Sequence, residues 1–174
     1  METAGSAYLY TLAQIAITFA GFTALFMMLR QTFGGTTTKY DLFVTRNYLF
    51  FSFLVVIGAM LPSLLAAFGI TQDLIWRLSS LAVAIPMGVF VITYPVRRRT
   101  LTGAGFPVRV WPMQLIFALA AVVLFVNGFA NSNTGRFELG VTLILLGSFY
   151  AIVLTLGIMF DTQSHDRDRT PDKQ

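Results

Sequence analysis

The stretch LAQIAITFAGFTALFMMLR, residues 12–30, decides the class of fold. No charge interrupts it before the closing Arg30, and its one amide is Gln14. A hydrocarbon core of about 30 Å takes roughly 20 helical residues, each rising about 1.5 Å. Extended back to Tyr8, the block is long enough to cross a bilayer as one helix. Four further blocks of similar length follow, at 48–70, 74–96, 110–129 and 137–160, after the first at 8–29.

The whole chain agrees with that reading. Its 174 residues are 56% hydrophobic and only 11% charged, too little charge to cover a soluble domain of this size. We therefore expect an all-α polytopic transmembrane bundle of about five spans. A single transmembrane domain would occupy 1–160, and a polar, disordered tail would occupy 161–174. METAGSAY at the start carries no Lys or Arg, so the first block reads as a retained span rather than a cleaved signal peptide.

Lys and Arg in short loops set orientation. The first loop region holds Arg30, Lys39 and Arg46. The third holds Arg97, Arg98, Arg99 and Arg109, and the tail holds Arg167, Arg169 and Lys173. The intervening loops carry Arg77 and Arg136 alone, so ten cations fall on one side and two on the other. This predicts the N-terminus outside and the C-terminus in the cytoplasm. Trp76 and Trp111 open spans, as interfacial anchors do. The net charge of +4 would point to nucleic acid in a soluble protein. Here the cations sit where lipid headgroups would lie, so the expected partner is the bilayer and not nucleic acid. Arg97, Arg98, Arg99 and Arg109 are the candidates for contact with anionic headgroups on the cytoplasmic side.

Within the first span, a turn of about 100° per residue separates two faces. Tyr8, Leu12, Ile15, Phe19, Phe22 and Phe26 are bulky and suit lipid. Ala7, Thr11, Gln14, Thr18 and Gly21 are small or polar, with Ala13, Ala20 and Ala24 alongside. Small residues let membrane helices approach closely, so Gln14 is expected to point into the protein. Gly140, Gly147 and Ala151 form a similar seam in the fifth span, and Ser52, Ala59, Ser63 and Ala66 in the second. Depth along the spans places Asn127, Thr142, Ser79 and Ser80 in the same outer half as Gln14, with Tyr150 near the midplane. Gln14, Thr18, Asn127 and Tyr150 are thus the candidate polar seam. Pro62 and Pro86 lie inside spans, where each removes a helical hydrogen bond.

Chemistry is sparse. No span carries a carboxylate, histidine, lysine or arginine near its middle, which argues against a proton-coupled carrier. The chain has no cysteine, and it lacks HExxH, GxSxG and P-loop patterns. His165 stands in the polar tail, where a flexible segment does not fix metal geometry. No cofactor, no metal and no catalytic residue is expected.

The run LAQIAITFAGFTAL, followed by RNYLFFSFLVVIGAMLPSLLAAFGI and IWRLSS, resembles small multi-pass inner-membrane proteins of proteobacteria that have no assigned function. The shared features are a first span rich in Phe and Gly, a Leu-Pro late in the second, and a Trp-Arg opening the third. The resemblance implies a bacterial inner-membrane setting and nothing about activity. Two functional readings follow. The first is a non-catalytic bundle that packs with itself or with another membrane protein, as a scaffold or accessory subunit. The second is a small oligomeric pore or facilitator with a polar path near Gln14.

Overall fold

A computed structural model of the chain describes residues 5–32, 39–102, 108–130 and 132–167. Five α-helices follow one another: α1 (Ser6–Thr32), α2 (Lys39–Ala67), α3 (Gln72–Thr102), α4 (Trp111–Phe129) and α5 (Thr134–Arg167). A 3-10 turn, Val108–Val110, leads into α4. The described residues contain no strand. All five helices are long and apolar enough to cross a membrane.

Interhelical hydrogen bonds show how the helices run. Tyr8 of α1 meets Thr142 of α5, Tyr10 donates to Ser63 late in α2, and Asn127 late in α4 donates to Ser80 early in α3. At the opposite end, Tyr48 of α2 donates to the Ala151 carbonyl, and Tyr150 of α5 donates to the Arg109 carbonyl before α4. Successive helices are therefore antiparallel. We call the end where α1 begins proximal and the other distal.

The core is built on aromatic rings and glycine. Phe51 of α2 sits 4.5 Å from Phe90 of α3 and 4.5 Å from Phe117 of α4, centroid to centroid. Phe117 in turn occupies the space over Gly147 of α5, where an added Cβ would lie 2.6 Å from the ring. Leu124, about two helical turns further along α4, fills the space over Gly140 in the same way. Gly140, Gly147 and Ala151 line the buried face of α5, the seam expected from the sequence. Glycine opposite a bulky side chain is how membrane helices gain close packing when water supplies no drive between them.

The helices outrun the apolar blocks. α2 starts at Lys39, nine residues before the expected 48, because Phe43 and Val44 pack on the core and Phe43 stacks on Tyr94 of α3 at 5.8 Å. α3 continues through Pro95 and the three arginines to Thr102. α5 continues to Arg167 and so runs past 160 into the segment expected to be a disordered tail. Residues 168–174, the rest of that tail, lie outside the described residues. Apolar content marks the depth of a bilayer, whereas a helix can go on into water.

Trp76 also departs from expectation. It is a core residue, 2% exposed, with its ring 5.6 Å from that of Phe137. Trp111 alone of the two is exposed.

Candidate functional site

α1 is the least embedded helix. In its most apolar stretch only 24% is buried, against 39–44% in the other four. It packs on α2 and to a smaller extent on α5. The buried edge runs Leu9, Ala13, Ala16, Thr23, with Leu12 beside it and Ala20 half-buried. These positions recur at intervals of three and four, as one side of a helix must.

Ala7, Thr11, Gln14, Thr18, Gly21 and Leu25 recur at the same intervals on nearly the opposite side, and every one is exposed. The expected orientation of Gln14 is therefore reversed: it points away from the bundle. The face sorting had given Leu12 and Phe19 to lipid, but Leu12 is buried and Phe19 packs on Phe149 of α5 at 5.7 Å. The physical reason is that a bundle interior and a lipid exterior are both apolar, so bulk alone does not say which way a side chain faces.

The polar atoms of this face are not equivalent. Thr11 donates its hydroxyl proton to the Ala7 carbonyl at 3.0 Å, and Thr18 donates to the Gln14 carbonyl at 2.9 Å. Such back-bonding satisfies the donor within the helix. The Gln14 side-chain amide has no hydrogen-bond partner among the described residues. It lies about eight residues along the helix, roughly 12 Å from its proximal start. At that depth in hydrocarbon, an unsatisfied amide costs several kcal/mol. Gly21 is open as well, for an added Cβ there would meet nothing within 4 Å. It thus differs from Gly140 and Gly147, which neighbours fill.

The remaining candidates lie elsewhere. Asn127 is fully buried where α3, α4 and α5 meet. Its Nδ2 donates to Ser80 Oγ at 2.8 Å, and its Oδ1 accepts from the Asn133 backbone N–H at 2.9 Å. One side chain thus ties α4 to α3 and closes the turn into α5. Next to it, Ser132 donates to Asp73, which pairs with Arg77 at 2.9 Å. Tyr150, halfway along α5, directs its hydroxyl toward the distal end and donates to the Arg109 carbonyl at 3.1 Å. Gln14 and Thr18 share a face, but the structure does not bring Asn127 or Tyr150 to it.

Two features were missed in the sequence. Pro95 lies inside α3 and has no N–H, so the Val91 carbonyl one turn back lacks its helical donor. Gln114 of α4, 7% exposed, donates its Nε2 to that oxygen at 2.7 Å. The signal was present: a proline in the third span and an amide early in the fourth, which the antiparallel arrangement sets side by side. The second is a cleft of about 30 Å³ at the distal end, lined by Phe51 and Phe90 together with Asn47, Tyr48, Tyr94 and Thr155. That is room for about two waters.

Arg97, Arg99 and Arg109 are exposed at the distal end and Arg98 is half-buried. Among the described residues, no three of His, Cys, Asp and Glu gather as a metal would require. No known protein family, no curated protein and no solved structure matches this chain.

Proposed function

We propose that this chain is a non-catalytic, multi-pass protein of a bacterial inner membrane that works by packing, as a scaffold or accessory subunit, through the outward face of α1. The observation that carries the reading is the Gln14 amide, which has no partner among the described residues and shares with the open Gly21, about two turns on, a face the bundle does not use. An amide at that depth is stable only against another protein or against water.

The hydroxyl geometry favours protein. Thr11 and Thr18 are already satisfied by their own helix, so the face presents methyl groups and one amide. That composition suits a helix contact better than a wetted wall. A small oligomeric pore, with Gln14 and Thr18 lining a lumen between subunits, uses the same face and is the second reading. Asn127 and Tyr150 have no part in it.

The charge distribution supports an N-terminus outside, a C-terminus in the cytoplasm, and anionic headgroups as the counterpart of Arg97, Arg98, Arg99 and Arg109. Labelling tests the packing reading, since the chain has no cysteine of its own. Single cysteines at Ala7, Thr11, Gln14, Thr18 and Gly21 would meet a membrane-impermeant maleimide added from outside. Packing predicts that labelling stops before position 14. Labelling that continues through position 18 means a water-filled path, and packing is then wrong.

A further inference from the structure

We propose that the partner is a second copy of this chain, docked α1 to α1 about a two-fold axis along the membrane normal, with the two Gln14 amides hydrogen-bonded to each other. This inference rests on the packing reading and adds the partner's identity.

The register of the face supports a helix pair. Ala7, Thr11, Gln14, Thr18, Gly21 and Leu25 alternate spacings of four and three, the heptad seam of two helices crossing at about +20°. Tyr10, Ile15, Ile17 and Phe22 flank the seam and are exposed. They form walls into which a facing helix can settle. Docking disturbs nothing inside the chain, because the buried edge of α1 lies on the other side.

Symmetry names the occupant. When all copies insert with the same orientation, as the Lys and Arg bias implies, a two-fold axis along the normal sets each residue against its equivalent at the same depth. A primary amide is both donor and acceptor. Gln14 against Gln14 is therefore self-complementary, and each amide provides what the other lacks. A different protein would need its own donor and acceptor at that depth, whereas a second copy has them by construction. The seam from Ala7 to Leu25 carries no charge, so nothing in it repels its own image. Gly21 against Gly21 lets the two backbones approach below the amide pair.

The test is photo-crosslinking in intact membranes. A benzophenone analogue of phenylalanine replaces Phe22 on the flank of the seam, and a control carries it at Val122, exposed on α4. An adduct at twice the chain's mass from position 22 and not from 122 is the expected result. Gln14→Leu should lower the dimer's association constant roughly three- to twenty-fold, the range of interhelical hydrogen bonds, and Gln14→Asn should recover much of it. Helix content and thermal unfolding of Gln14→Leu in detergent should match the parent, because the residue is outside the core. An adduct formed only with another protein would overturn the second copy and leave the packing reading standing. No protein adduct at position 22 would overturn both.

Discussion

Gln114 of α4 donates a hydrogen bond to the Val91 carbonyl of α3, the oxygen that Pro95 leaves without a helical partner. The amide acts as a replacement N–H supplied from the neighbouring helix. It lets α3 run through a proline without a buried carbonyl going unpaired, a repair that membrane helices need because lipid offers no water.

Gln114→Leu should therefore cost about 1–2 kcal/mol, the scale of losing a bond and stranding its acceptor. In a Pro95→Ala background the helix regains its own N–H and the same substitution should cost less. Equilibrium unfolding in mixed micelles, run as a double-mutant cycle, reads the difference. Equal costs in both backgrounds would rule out the repair.

Asn127→Ala removes the bond to Ser80 and leaves the Asn133 N–H unpaired. The expected loss is about 2 kcal/mol. Asn127→Asp keeps the acceptor toward Asn133 and should retain part of the stability. Hydrogen exchange at Asn133 should quicken in the first variant and much less in the second.

Gly147 and Gly21 should respond oppositely to alanine. At Gly147 the new methyl meets the Phe117 ring at 2.6 Å, and overpacking of that kind costs about 1–3 kcal/mol. At Gly21 nothing lies within 4 Å, so Gly21→Ala should be neutral or slightly stabilising by helix propensity. Thermal unfolding of the monomer in detergent distinguishes them.

Tyr48 ties α2 to α5 by donating to the Ala151 carbonyl at 2.6 Å and by its contact with Thr155. Tyr48→Phe removes only the hydroxyl, for an expected loss of about 1 kcal/mol. The effect should be local. Exchange protection around Ala151 and Thr155 should fall, while that around Asn127 stays unchanged.

The number and approximate placement of the helices were legible because one quantity, bilayer thickness, sets the length of an apolar block. Glycine seams were legible too, as at Gly140 and Gly147, since glycine in a membrane helix has few uses besides close approach. The rotation of α1 was not. Leu12 and Phe19 serve equally well against a neighbour or against lipid, and only the positions of α2 and α5 decide. Trp76 misled for a related reason: a tryptophan at a span end suits an interface, yet Phe137 offers it a partner inside. Helix ends were beyond reach, because Phe43 and Arg97 lie past the apolar blocks and nothing about hydropathy prevents a helix there. For the candidate seam, Gln14 and Thr18 do share one helix face, but that face points outward and not into the bundle.

The shallow embedding of α1 has an evolutionary consequence. Substitutions at Ala7, Thr11, Gln14, Thr18 or Gly21 do not pass through the filter of core packing, so the bundle's interior is indifferent to which helix-compatible, uncharged residues those positions carry. Selection on them is then decoupled from selection on stability. Related chains could keep one interior and differ in the company they keep, with divergence concentrated on a single helix face.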